Sequence, residues 1–323
     1  MDSTPPLALT LGLSDSARTR PLASGEIPIA GVEPQVTLMG VQALFNHQMV
    51  HHTFDACEFP MATYLRTLET PERPYLAIPV FPSRHFRLSC LFVNADSEIV
   101  KPEDLVGKRI GISVFDMAAG VWLRGILHDH FGVDRHSPTY VIGGLEFPYA
   151  GDEHPQFYPE GFTFDFERET SLAQALAEGS IDAIVTARAP STWTGAAGDR
   201  VRRLFEDPKA AELDYYLATG ILPAMHVLAV KRPIAEAHPG LTDALLTAFT
   251  QAQEAARAQL WESAAVDTML PWQLEHLIET ERLLGPDYWA SGIEANRPML
   301  DALIDYCLAD GLISRRFTVE ELF

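Results

Sequence analysis

The sequence predicts a two-lobed α/β protein with mainly parallel sheets, and three observations carry that prediction. Short apolar stretches of strand type alternate with helical stretches along most of the chain. With 323 residues, the chain is longer than a single hydrophobic core usually supports. Within it, "EDLVGKRIGISV", a helix and then "ALAEGSIDAIVTA" form a block that reads as a lobe of its own, set between two parts of the other. The expected division is lobe one at residues 1–95 plus 222–323, including the C-terminal helices, and lobe two at residues 96–221. The crossings fall near residues 94–97 and 216–225. A ligand is then expected in the cleft between lobes, at the carboxyl ends of the strands.

The elements follow in order. "LALTLGLS" alternates as a strand and runs into a polar loop, "DSARTRPLASG"; "VEPQVTLMG" is a second strand. "VQALFNHQMVHHT" is helical, and "FDACEFPMATYLRTL" opens with a short strand before another helix. "YLAIPVF" and "LSCLFVN" are strands, as is the end of "KPEDLVGKRIGISV". Asp116 stands at an N-cap position for a helix that Gly132 ends. "PTYVIGGLE" gives a strand, "SLAQALAEGSIDAIVTAR" a helix, a glycine stop and a strand, and "MHVLAVKRP" one more strand. Residues 147–170 are aromatic, acidic and rich in proline and glycine, and read as a long surface excursion. From Pro233 onward the pattern is helical, with Trp261, Trp272 and Trp289 read as packing between helices.

Composition narrows the function classes. Lys plus Arg number 24 against 44 Asp plus Glu, a formal charge of -20, and such a field repels nucleic acid and anionic lipid. Cys57, Cys90 and Cys307 lie far apart in apolar contexts, which reads as buried reduced thiols. The N-terminus has no signal-peptide pattern and no stretch approaches a membrane span, so a cytoplasmic location is expected. An anionic ligand would need a local cluster of cations, and "PVFPSRHFRLSCLFVN" supplies one: Arg84, His85 and Arg87 at the start of an apolar element. If a strand already runs there, His85 and Arg87 share one side and Arg84 takes the other.

These residues carry a resemblance. "SDSARTRPL", "FDACEFPMATYL", "PVFPSRHFRLSCLFVN", "VWLRGIL", "GGLE", "DAIVTARAP", "MHV" and "GIEANRPML" occur in the order seen in the 4,5-dihydroxyphthalate decarboxylases, over nearly the whole chain. The sequence is similar to that family, which implies the type 2 periplasmic-binding-protein fold and a role in aromatic breakdown. It departs from the family pattern at Pro60 and Ala62, at Leu88, and at Ala118.

The substrate implied by the resemblance is a small aromatic dianion with two adjacent carboxylates, which guanidinium forks suit. Arg18, Arg20, Arg84, Arg87, Arg124 and Arg188 lie in the matched motifs and are the candidate substrate-binding cations, with Glu146 beside them. Each could instead pair with the surplus of acidic residues. Decarboxylation without an electron-sink cofactor requires a proton donor at the ring carbon and an acceptor for a para hydroxyl. His85 and His226 are the candidate donors, and Asp15, Glu58 and Glu146 the candidate partners of the hydroxyl; Glu58 could equally be a buried ion pair, and His226 a core histidine. His47 and His51 share a helical face, but without a third ligand at metal spacing a solvated face is the better reading, so no metal and no cofactor is assigned. A homo-oligomer face on the C-terminal helices is compatible with the pattern and not required by it. A solute-binding protein, or a sister enzyme acting on a different carboxylated ring, stays open as the alternative.

Overall fold

Leucines at every second position of Leu7–Ser14 bury one face, as the sequence pattern requires of a strand lying on a core. The computed structural model describes residues 5–151, 157–266 and 268–323. Its strands are β1 (Leu7–Ser14), β2 (Val32–Met39), β3 (Ala56–Pro60), β4 (Tyr75–Ile78), β5 (Leu91–Asn94), β6 (Arg109–Ile112), β7 (Thr139–Ile142), β8 (Thr163–Phe166), β9 (Ala183–Val185), β10 (Val201–Arg203) and β11 (His226–Lys231). They form two mixed sheets, ordered β2-β1-β3-β11-β4 and β10-β5-β9-β6-β7-β8. Most pairs are parallel; β11 runs antiparallel to β3 and β4, and β5 antiparallel to β9 and β10.

The chain divides into two compact units: Met1–Arg84, Ala224–Arg297 and Phe317–Phe323 in the first, His85–Pro223 and Pro298–Arg316 in the second. The second crossing falls within the expected residues 216–225, while the first comes earlier than expected and residues 298–316 also belong to the second unit. β5 belongs to the second unit because its backbone pairs with β9 and β10. Residues 298–316 join the second unit because Tyr306 packs edge-on against Trp122, and Asp310 pairs with Arg124 and Arg135.

In the first unit, β1, β3 and β11 stack Leu9, Leu11, Leu13, Ala56, Leu228 and Val230 against Leu245 and Phe249 of the helix Leu241–Leu260. That helix buries Leu241, Leu245, Ala248, Phe249 and Ala252, spaced as one face of a 3.6-residue period. In the second unit, Val141, Leu172, Leu176, Ile181 and Ile184 form the centre of the core. Among the described residues, no helix is long and apolar enough to cross a membrane.

Several local expectations are corrected. The loop after β1 closes into a short helix, Arg20–Ser24. Residues 147–170 contain β8, an edge strand parallel to β7, whose Phe164 meets Phe115; residues 152–156 lie outside the described part. The helix Ala118–Phe131 is capped by Met117 rather than Asp116, and ends at Gly132 in the left-handed region, where a residue without Cβ is favoured.

Candidate functional site

Three strand ends bring the first unit's reactive groups together. β1 and β3 run parallel and finish at the same edge of the sheet, while antiparallel β11 begins there, with His226 opposite Pro60. Glu58 lies on β3, 1% exposed, and accepts at both oxygens. One receives the Ser14 backbone N–H at 3.0 Å and the Ser14 hydroxyl at 2.5 Å; the other receives Nδ1 of His226 at 2.5 Å. Burial pushes the Glu58 carboxyl up, yet the His226 contact and charge together with the Ser14 hydrogen bonds outweigh it and hold it below the usual carboxylate range. Nδ1 committed to Glu58 leaves Nε2 as the outer edge of the His226 ring, which Phe45 contacts edge-on at 4.8 Å. Next door, burial first and then the charge of Glu58 push the Cys57 thiol far up, which makes it a poor nucleophile.

The turn that follows β1 sets Arg18. Thr19, fully buried, accepts from the Ser16 N–H at 3.0 Å and donates to the Ser14 carbonyl at 2.5 Å, which locks the turn. Arg18 Nε donates to the Pro82 carbonyl at 3.0 Å, and its guanidinium carbon lies 4.8 Å from the centre of the Trp289 ring. Burial pushes this guanidinium down, while the charges of Glu58 and Tyr288 act the other way. Among the described residues, no hydrogen bond or ion pair engages its two Nη groups.

The other predicted residues of the first unit have different surroundings. Asp15 and Arg20 pair with each other at 2.7 Å, both more than half exposed. Arg84 is buried, donating through Nη2 to the Ala290 carbonyl at 3.1 Å and to Asn296, and burial pushes it down to about 10. These bonds hold the 290–296 segment in place.

In the second unit, the stretch around His85 and Arg87 is no strand: β5 starts only at Leu91, after the 3-10 turn Leu88–Cys90. The pairing of sides therefore fails, and His85 is exposed while Arg87 is buried with Nη1 at 3.6 Å from the Cys90 sulfur. Arg124 is 4% exposed and bonded through Nε and Nη2 to Asp310 at 2.9 and 2.7 Å, while its Nη1 has no hydrogen-bond partner among the described residues. Glu146 is exposed and accepts from the Ser191 N–H and hydroxyl at 2.9 and 2.5 Å; Arg188 is exposed. Among the described residues, no group of three His, Cys, Asp or Glu side chains could hold a metal ion, and His47 and His51 stand with ring centres 6.1 Å apart.

The sequence reading missed Ser14, Phe45 and Trp289. Ser14 stands first in the matched motif "SDSARTRPL", which is the one signal that marked it; Trp289 was assigned to packing between helices.

Comparison with known proteins gives two kinds of likeness. The chain is 35% identical over 318 residues to 4,5-dihydroxyphthalate decarboxylase of Comamonas testosteroni, covering 98% of this chain and 96% of the relative. It is 34% identical over 213 residues to 4,5-dihydroxyphthalate decarboxylase of Pseudomonas putida, covering 66% and 82%. No family model matches. Among solved structures, the aliphatic sulphonate binding protein SsuA of Escherichia coli aligns with a TM-score of 0.54 at 14% identity, over 98% of this chain and 92% of that one. The SsuA of Xanthomonas axonopodis pv. citri, bound to MOPS, gives 0.55 at 14% identity over 99% of both. These neighbours establish a periplasmic-binding-protein fold.

Proposed function

The chain belongs to the 4,5-dihydroxyphthalate decarboxylase family, and from that premise we propose that its Glu58–His226 pair delivers the proton that releases carbon dioxide from 4,5-dihydroxyphthalate, leaving protocatechuate. Membership makes it a carboxy-lyase. The observation that carries the residue assignment is the 2.5 Å contact between a buried carboxylate and a ring whose other nitrogen is left over for donation.

The substrate has two adjacent carboxylates, each with a hydroxyl para to it. His226 passes its Nε2 proton to the ring carbon that bears one carboxylate, while the para hydroxyl gives its proton to solvent water, which later returns it, and becomes ketonic. The bond to that carboxylate then breaks, carbon dioxide leaves, and the bonding pair returns to the ring. Aromaticity is restored with the negative charge on the para oxygen, which takes up a proton. The ring oxygen acts as its own electron sink, so no cofactor is written into the step.

Glu58 stays ionised throughout. Its hydrogen bond to Nδ1 keeps the ring in one plane, with Nε2 turned outward. His226 is 13% exposed, enough for water to restore its proton. Arg18 grips the carboxylate that remains, through the Nη groups that no described residue engages. Unpaired thiols at Cys57, Cys90 and Cys307 fit a reducing, cytoplasmic setting for this reaction.

The test is incubation of the purified protein with 4,5-dihydroxyphthalate in deuterated water, with and without a chelator. Carbon dioxide and protocatechuate are expected in both arms, with one deuterium at the ring position vacated by the carboxylate. Intact substrate in both arms would overturn the proposal, and turnover lost only with chelator would overturn its cofactor-free form.

A further inference from the structure

We infer that Trp289 is a positioning residue for substrate binding: with its ring face it fixes the plane in which Arg18 presents its Nη groups to a carboxylate. The inference deepens the proposed function and rests on its assignment of Arg18 to the carboxylate that is retained. Two neighbouring carbonyls set the arrangement. The Phe81 carbonyl accepts the indole N–H of Trp289 at 3.1 Å, and the Pro82 carbonyl accepts Nε of Arg18 at 3.0 Å. Ring and guanidinium are thereby tied to successive residues of one chain segment, and their separation of 4.8 Å is that of a cation over an aromatic face.

The segment itself is braced. Gly292 N–H donates to the Pro79 carbonyl at 2.7 Å, and Asn296 donates to the carbonyls of Ala290 and Gly292 at 2.9 and 2.7 Å. Arg84 adds its own bond to the Ala290 carbonyl. The loops that carry Pro79–Pro82 and Trp289–Gly292 are thus tied together by hydrogen bonds.

A flexible arginine loses side-chain entropy on gripping a ligand, and a guanidinium held in advance at Nε and on one face loses less. Burial strips water from Arg18 as well, so its unsatisfied donors favour an anionic partner. The consequence lies in affinity, while the proton transfer at His226 is left as it is.

The experiment measures binding of phthalate, a dianion with the same vicinal carboxylates and no hydroxyl, by calorimetry, beside steady-state kinetics on 4,5-dihydroxyphthalate. The variants are Trp289→Leu, Trp289→Phe, Arg18→Met and the double variant Arg18→Met/Trp289→Leu. Trp289→Leu is expected to weaken phthalate binding roughly 3- to 30-fold and raise KM in step, with kcat within about twofold. Trp289→Phe keeps a face, loses the indole N–H and should fall in between; it also serves if the leucine variant fails to fold. In the Arg18→Met background, Trp289→Leu is expected to change phthalate affinity by less than about twofold, because both act through one guanidinium. Unchanged affinity in both Trp289 variants, with binding lost in Arg18→Met, overturns the role of Trp289 alone. Full additivity of the two substitutions overturns it too. Unchanged affinity and KM in Arg18→Met overturns the assignment of Arg18, and with it the reading on which this inference rests.

Discussion

His226 meets Glu58 side by side across an antiparallel strand pair, although β11 register sets His226 opposite Pro60 and Leu228 opposite Glu58. The ring therefore sits two residues further toward the open edge of the sheet than the carboxylate that holds it. Glu58 is 1% exposed and His226 13%, so the pair has a buried end and an accessible end. A buried carboxylate at the closed end and a ring nitrogen at the open end is the arrangement the proposed proton donor requires.

Removing the donor nitrogen is expected to remove turnover and spare binding. His226→Asn should lower kcat by about 10²–10⁴-fold, the usual worth of a general acid, with phthalate affinity changed far less. Glu58→Gln should also lower kcat steeply, because the amide no longer offers His226 Nδ1 the carboxylate that fixes the ring. Rapid-quench measurement of carbon dioxide release checks both. Equal loss of binding and turnover in His226→Asn would assign the histidine to packing.

Stability should follow Glu58 in acid. Its folded-state value is depressed, through the His226 and Ser14 contacts that outweigh burial, so its stabilising contribution is present above the unfolded carboxylate value of about 4.3 and is lost as pH falls through the folded value. The difference in Tm between the protein and Glu58→Gln is thus expected to be constant from neutral pH down to about pH 5 and to shrink below it. A gap that widens in acid would contradict the sign. Asp15 offers a contrast: it is 54% exposed and pairs only at the surface with Arg20, so Asp15→Asn should leave kcat within about twofold and stability within about 1 kcal/mol.

What the sequence disclosed, and what it hid, follow from locality. The alternation in "LALTLGLS" and the 3.6 period in residues 241–260 are local patterns, and both elements stand where those patterns put them. Glu58 and His226 were legible because each broke an apolar run at a strand. Their contact joins residues 168 positions apart, which no local pattern encodes. The partners of the arginines were hidden for the same reason. Arg84 and Arg124 look alike in sequence to Arg18, and what separates them is a partner far along the chain: Asn296 for one, Asp310 for the other. Trp289 was hidden because a tryptophan near a helix is usually core.

Close approach of two helices in the second unit yields a test of packing. A Cβ at Gly125 would stand 2.2 Å from the Tyr306 ring, so glycine lets the helix Ala118–Phe131 meet the helix that carries Tyr306. In a free helix, Gly→Ala would gain about 1 kcal/mol. Here overpacking is expected to reverse the sign, with Gly125→Ala destabilising by about 1–3 kcal/mol in urea unfolding. A variant more stable than the parent would mean that Tyr306 swings away without cost.

Asp310 is the anchor of the same contact and the sharper case. It is fully buried and accepts Arg124 at one oxygen and Arg135 at the other, so a single carboxylate balances two guanidiniums that are 4% and 7% exposed. Arg124 adds a bond from Nη2 to the Phe115 carbonyl at 2.9 Å and lies over the Phe115 ring at 3.9 Å. Asp310→Asn leaves two buried positive charges with no counter-charge, and breaking such a cluster at one partner costs about 3–5 kcal/mol. The expected outcome is a loss of that size in denaturant unfolding. Arg124→Met, which removes charge from the surplus side and keeps an apolar stem against Phe115, is expected to cost less than Asp310→Asn. If Arg124→Met instead raised KM sharply with stability intact, Arg124 would be a ligand-binding residue after all, and the buried pair would be incidental to its role.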